Sequence, residues 1–239
     1  MPVNLDHRSN EPELMDNPEL EDSALQTALK DLSRVNRMLG GNTITINAVH
    51  ELIKGRTTGE EITIVDLGCG DGEMLRALAQ SFRKKNLHVK LIGVDLNEKS
   101  LAYAKKQSTA YPEISYAKLD LLHIQNSSFY CDVIICTLTL HHLSCKEIEN
   151  VLRKSVTLAR TGVIINDLHR SKIAYYLFKI FSLFFITGKI AKYDGLISIK
   201  RGFKKEELIQ YTQALGLTKY RIDWKWAFRY RWIIDTRCM

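Results

Sequence analysis

Ile64-Val65-Asp66-Leu67-Gly68-Cys69-Gly70-Asp71-Gly72-Glu73, or IVDLGCGDGE, decides the fold. A β-branched run ends on an acid, glycines follow at alternate positions, and helical spacing takes over from Glu73 to Phe82. Glycines behind a strand let the backbone turn tightly and approach a ligand closely. The spacing is G-x-G-x-G, not the G-x-G-x-x-G of a dinucleotide loop, and Glu73 stands where a pyrophosphate would meet the helix N-terminus. With Asp66 at the strand end, the loop suits a ligand that carries positive charge and no phosphate.

Outward from this loop the pattern alternates. Strands are expected at 62–66, 89–95, 114–120, 131–138 and 162–168, with helices at 73–82, 98–107 and 145–159. Such alternation means βαβ units and a mostly parallel sheet, and the unbroken apolar runs IVDL and VIICTL suit strands covered on both faces. Residues 173–187, IAYYLFKIFSLFFIT, are the most apolar of the chain but too short to span a membrane, and Lys179 lies within them; a lid or core helix is expected. A helix over 202–217 and a hairpin over 218–235 follow, the hairpin placing Trp224, Trp226 and Phe228 on one face. The expected fold is α/β: a doubly wound, Rossmann-like, seven-stranded, mostly parallel sheet with an antiparallel C-terminal hairpin, an N-terminal helical cap and a helical lid insert. Residues 1–42 are read as tail and cap helix, and 43–239 as the main domain with the lid at about 170–200.

The acidic, proline-bearing stretch to Asp22 reads as a loose tail. Apolar residues from Leu25 to Leu39 then recur at helical spacing until Gly40-Gly41 stops them. The net charge of +7 is uneven: nineteen Lys and Arg face eight acids from Lys146 onward, against fifteen and nineteen before it. This basic part invites anionic partners, but aromatic and basic alternation in a hairpin sorts the two onto opposite faces, so no nucleic acid is expected. Five cysteines without a C-x-x-C pair, and no signal peptide, indicate a reduced cytoplasmic protein. Cys131 and Cys136 are an odd number of positions apart on a strand and would face opposite sides, so no metal site is expected.

S-adenosylmethionine, with its ammonium and sulfonium, is a ligand of the required charge. VDLGCGDGE (65–73), GVDLNEKSLAYAKK (93–106), KLDLL (118–122) and CDVIICTLTLHHL (131–143) together resemble the class I S-adenosylmethionine-dependent methyltransferases in order and spacing. The resemblance implies that Asp66, Gly68, Gly70 and Gly72 hold the methionine part. It implies that Asp95 takes the ribose hydroxyls, that Leu96 packs on the adenine, that Asp120 and Leu121 meet its amino edge, and that Thr137 faces the methyl group. ELMD (13–16), RVNRMLGG (34–41), NDLHRSKIAYYLFK (166–179) and DGLISIKRGFKKEEL (194–208) are similar to a narrower group. That group comprises methyltransferases of the ubiquinone/menaquinone-biosynthesis type and those associated with type III polyketide synthases. It implies secondary metabolism, a phenolic or quinol-like acceptor, an N-terminal helix over the site, and Arg37 and Arg201 as acceptor contacts.

A phenol has a pKa near 10, so its methylation calls for a base, and a neutral imidazole serves. His141 and His142 follow the fourth strand; Asp167 and His169 end the fifth, at the edge where open α/β sheets bind ligands. Strand or turn geometry should send only one of the first two into the pocket, with His142 favoured. The expected function is O-methylation of a small lipophilic acceptor, with C- or N-methylation, or cofactor binding without turnover, as alternatives. The apolar lid also offers a peripheral membrane contact.

Overall fold

The computed structural model describes residues 3–17, 19–55, 59–124 and 131–237. The sheet runs in the order β3-β2-β1-β4-β5-β7-β6. Its strands are β1 (Ile62–Leu67), β2 (Val89–Asp95), β3 (Ile114–Lys118), β4 (Cys131–Thr137), β5 (Ala159–Leu168), β6 (Tyr220–Lys225) and β7 (Arg229–Asp235). The first five are mutually parallel; β7 inserts antiparallel beside β5 and pairs with β6 as the hairpin. The order reverses at β1, so β1 and β4 open a crevice at their C-terminal ends.

Each strand feeds both faces. Val65 and Leu67 join one apolar cluster with Trp232, while Ile62 and Ile64 join the other with Phe82. Helix α5 (Cys145–Leu158) lies on the first face, begun by a capping box between Ser144 and Glu147. Helices α3 (Glu73–Lys84) and α4 (Glu98–Gln107) lie on the second, α4 begun by the Asn97 side chain accepting from Lys99 and Ser100 amides. The odd separation of Cys131 and Cys136 does not divide them. A register irregularity between Cys131 and Val133 resets the alternation, and both thiols enter the same cluster. Cys238 lies outside the described residues.

Gly40 does end α1 (Asp22–Met38), in the left-handed region at φ 75°, but Gly41 at once begins a second helix, α2 (Gly41–Leu52). Its sequence, GNTITINAVHEL, carries strand-forming residues, yet Ile44, Ala48, Val49 and Leu52 share one buried stripe. Asn166 of β5 fixes α2 by donating to Gly41 O and Thr45 Oγ1, both at 3.0 Å. The lid is likewise two helices, α6 (Lys172–Phe185) and α7 (Lys189–Arg201), followed by α8 (Lys205–Ala214). Gly195 inside α7 makes room for the Phe178 ring, which any Cβ there would overlap. Trp224 and Trp226 are exposed, whereas β7 is buried from Arg229 to Ile234, with Tyr230, Trp232 and Ile234 in one apolar cluster and Ile233 in the other.

The acidic N-terminal stretch is not loose over its described part. Leu5 is buried, and Asp194 of α7, itself fully buried, accepts from the Leu14 and Met15 amides at 2.7 and 3.0 Å. Arg170 knits this stretch to the end of β5. It donates to Leu5 O at 3.0 Å, to Gly202 O at 2.6 Å and to both Glu207 oxygens at 2.6 and 3.0 Å. Arg170→Met strands the Leu5 and Gly202 carbonyls and leaves the half-buried Glu207 unpaired, and is expected to cost about 3 kcal/mol in urea unfolding; an unchanged midpoint would show that the N-terminal stretch docks without it.

Candidate active site

The loop after β1 carries Gly68, Gly70 and Gly72 at φ 72°, 53° and 74°, a backbone that other residues rarely adopt. Its amides are spent inside the protein: Gly68 and Cys69 donate to Val94 O, Gly70 to Asp95 Oδ2 and Gly72 to Cys69 O. No ring of free N–H groups is left to cradle a phosphate. What the loop offers instead is acid. Asp66, Asp71, Glu73 and Asp95 all border one cavity. Asp66 Oδ1 is buried without a hydrogen-bond partner, and burial, with Asp95 and Asp71 nearby, lifts its pKa well above the usual carboxylate range. A cationic ligand would ionise Asp66 and satisfy that oxygen. This donor set fits an ammonium, a sulfonium and hydroxyls.

The cavity holds about 870 Å³. Its other half is apolar: Leu25, Leu29 and Leu32 from α1, and Leu177, Phe181 and Phe184 from α6. Between the halves β4 ends. Leu138 turns at φ 55°, a strained region for a non-glycine, and leads into a 3-10 turn at Leu140–His142. The turn brings both histidine rings to the cavity, 4.3 Å apart, so the expectation that only one would face it fails.

His141 is the buried one. Its Nδ1 lies 2.7 Å from Asp167 Oδ1, and its Nε2 is buried without a hydrogen-bond partner, 3.6 Å from Glu13 Oε1. Burial alone pushes the imidazole down, but the Asp167 and Glu13 carboxylates outweigh it and hold it at about 9. Asp167 and Glu13 stay below the usual carboxylate range: burial raises both, and His141 more than offsets it. His142, half-buried, meets Asp16 at 3.4 Å and Glu13 at 3.8 Å. Glu13, His141 and His142 lie close enough to share an ion. Glu13 also accepts from Ser198 at 2.8 Å and faces His141 Nε2 as a counter-charge just beyond hydrogen-bond distance.

A family profile described as Methyltransferase domain matches residues 64–162, the span holding the glycine loop, Asp95, Asp120 and both histidines. These residues match a methyltransferase domain. A curated relative, carboxy-S-adenosyl-L-methionine synthase of Campylobacter hominis, is 32% identical over 114 residues, 47% of each chain. The chain thus spans about half the length of that relative. Among solved structures, the plantazolicin methyltransferase BpumL in complex with SAH is 16% identical over 87% of this chain and 90% of its own, with a TM-score of 0.64. Magnesium protoporphyrin IX methyltransferase of Synechocystis PCC 6803 with bound SAH is 20% identical over 84% and 85%, at 0.54. The CMeT domain of citrinin polyketide synthase is 13% identical over 79% and 50%, at 0.60.

Most residues singled out in the sequence border the methyltransferase domain's cavity: Asp66, Gly68, Gly70, Asp95, Leu96, Asp120, Leu121, Thr137, His141 and His142. Asp95 anchors the loop through Gly70 and Asn97 amides at 2.9 Å, with lone pairs to spare for two hydroxyls. Asp120 also caps the turn at Leu121–His123, accepting from the Leu122 amide at 2.9 Å. Gly72 stands apart from the cavity; a Cβ there would strike the Tyr116 hydroxyl, so its role is packing. His169 is also outside, its Nδ1 accepting from Trp224 Nε1 at 3.3 Å and its ring edge-on to Tyr230. Arg201 touches no cavity wall and instead clamps the His141 and His142 carbonyls; Arg37 is an exposed partner of Glu73.

Glu13 and Arg229 are the residues that sequence reading passed over. Glu13 sits in a run of acids with no signal beyond the ELMD motif. Arg229 sits among the hairpin's basic residues, yet it is buried, borders the cavity, and has Nε and Nη1 without partners. For the methyltransferase domain's cofactor half, Asp95→Ala is expected to weaken S-adenosylhomocysteine binding about 10- to 100-fold in calorimetric titration, as loss of charged hydrogen bonds implies. Unchanged affinity in the folded variant would remove Asp95 from the site.

Proposed function

We propose that this protein transfers the methyl group of S-adenosyl-L-methionine to the oxygen of a small lipophilic phenol or quinol. The observation that carries this reading is His141 Nε2, buried and unpartnered on a cavity that is acidic at one end and apolar at the other. Bound S-adenosylmethionine supplies a methyl carbon on a sulfonium, a leaving group that needs no acid. The protein's work is to orient the acceptor, exclude water and take one proton.

The Asp167 contact keeps the neutral tautomer's proton on Nδ1 and leaves the Nε2 lone pair free for the phenol proton. An imidazole held at about 9 is close to the phenol pKa near 10, so the transfer is nearly balanced. Arg229, lowered to about 10 by burial, presents unpartnered N–H groups that suit the oxyanion formed. The apolar walls from α1 and α6 favour an acceptor with a ring and an alkyl tail. The basic hairpin speaks against a nucleic-acid acceptor, because Arg221 and Arg231 are engaged by Glu51 and Asp223. No helix of the described residues is long and apolar enough to cross a membrane.

The test is turnover of labelled S-adenosylmethionine with a panel of alkylphenols and quinols, the product read by NMR as methoxy or ring methyl. A ring-methyl product would replace oxygen by carbon as the nucleophile; tight cofactor binding with no product from any acceptor would sink the proposal. His141→Gln should lower kcat about 10²- to 10⁴-fold. The base must be neutral, so kcat/KM should rise with pH and level off above about 9. Asp167→Asn removes the carboxylate that raises His141, so the rising limb should move to lower pH while the plateau falls.

A further inference from the structure

We infer that α6 seats its outward face on an anionic lipid surface. The helix is inverted relative to a core helix: its fully buried residues are small, Ala174 and Ser182, and although Phe178 and Phe181 pack inward, most of its large apolar residues are exposed. Ile173, Leu183 and Phe184 are 63%, 66% and 77% exposed, and Ile180 is 57% exposed. At 14 residues α6 cannot span a bilayer, but a helix of this kind lies in the interface plane.

Charge identifies the occupant. Between Ser171 and Tyr193 the chain carries Lys172, Lys179, Lys189 and Lys192 and no acid. Among the described residues none of the four forms a salt bridge. A second copy docked face to face would set these lysines against their own kind, whereas anionic headgroups match them. Trp226, 63% exposed, adds an interfacial aromatic on the rim of the same cavity. Leu177, Ile180, Phe184 and Phe185 are at once exposed and part of the cavity wall, so the docked face is also the way in. The route for a lipophilic acceptor rests on the proposed function; the docking itself does not.

The test is flotation of the full chain with phosphatidylcholine vesicles, alone or with about one third phosphatidylglycerol. Binding is expected to the anionic vesicles, to be released by salt, and to be weaker on neutral ones. Ile173→Glu with Leu183→Glu, neither on the cavity wall, should weaken vesicle binding about tenfold or more while S-adenosylhomocysteine affinity stays unchanged. Lys172→Glu with Lys179→Glu should abolish the preference for anionic vesicles. Absence of wild-type binding, or equal binding by the apolar double variant, would overturn the inference. So would a wild-type dimer in ultracentrifugation that this variant splits without any vesicle binding. Turnover of a detergent-solubilised acceptor is read separately, so failure of docking and failure of methyl transfer are distinguishable.

Discussion

A buried chain of charge, Asp167–His141–Glu13, is the constraint on which the rest of the site depends. None of the three groups is stable alone where it sits, since an isolated buried carboxylate or imidazolium is held only by a partner. Together they satisfy one another, and they come from three distant parts of the sequence: the end of β5, the turn after β4 and the stretch before α1. Around them, Arg8 Nη2 donates to the His141 and Leu143 carbonyls at 2.9 and 3.0 Å, and Arg201 holds the His141 and His142 carbonyls from the other side. The turn bearing the histidines is therefore fixed from both flanks, and the strained Leu138 is one visible cost of that fixation.

The cavity divides its labour by chemistry. Its acidic end has spent its loop amides on the protein's own carbonyls and Asp95, which excludes phosphates and favours cations. Its apolar end is built from elements outside the sheet, α1 and α6. The acidic end thus belongs to the strand ends and their loops, and the apolar end to what is laid over them.

Strand positions and the acids and glycines that border the cavity were legible because they are written locally: period, loop glycines and an acid at a strand end all fall within a few residues. What was not legible depended on distance or on conflict between signals. Helix α2 hid behind Thr-Ile-Thr-Ile, a strand-like run whose helical stripe matters only once β5 supplies Asn166. Helix α7 hid behind Gly195, which is there for Phe178. The bulge at Cys131 upset a parity argument that assumed a regular strand. Asp167 and His169, both at the end of β5, looked alike on paper; the hairpin takes His169 away and leaves Asp167 to His141. Glu13 could not be told from its acidic neighbours, because its partner lies well over a hundred residues on.

That separation has a consequence for how the protein comes into being. The contacts that seat the N-terminal stretch span 180 residues between Leu14 and Asp194 and 193 between Arg8 and Arg201. Residues before α1 must wait for α7, made well over a hundred residues later, before they find their places. The crevice between β1 and β4 needs only β1 to β5, but the contacts that hold Glu13 beside His141 form only once α7 has been made. A chain still being made would thus hold the acidic crevice before Glu13 is seated, a temporal order written into the wiring of the fold.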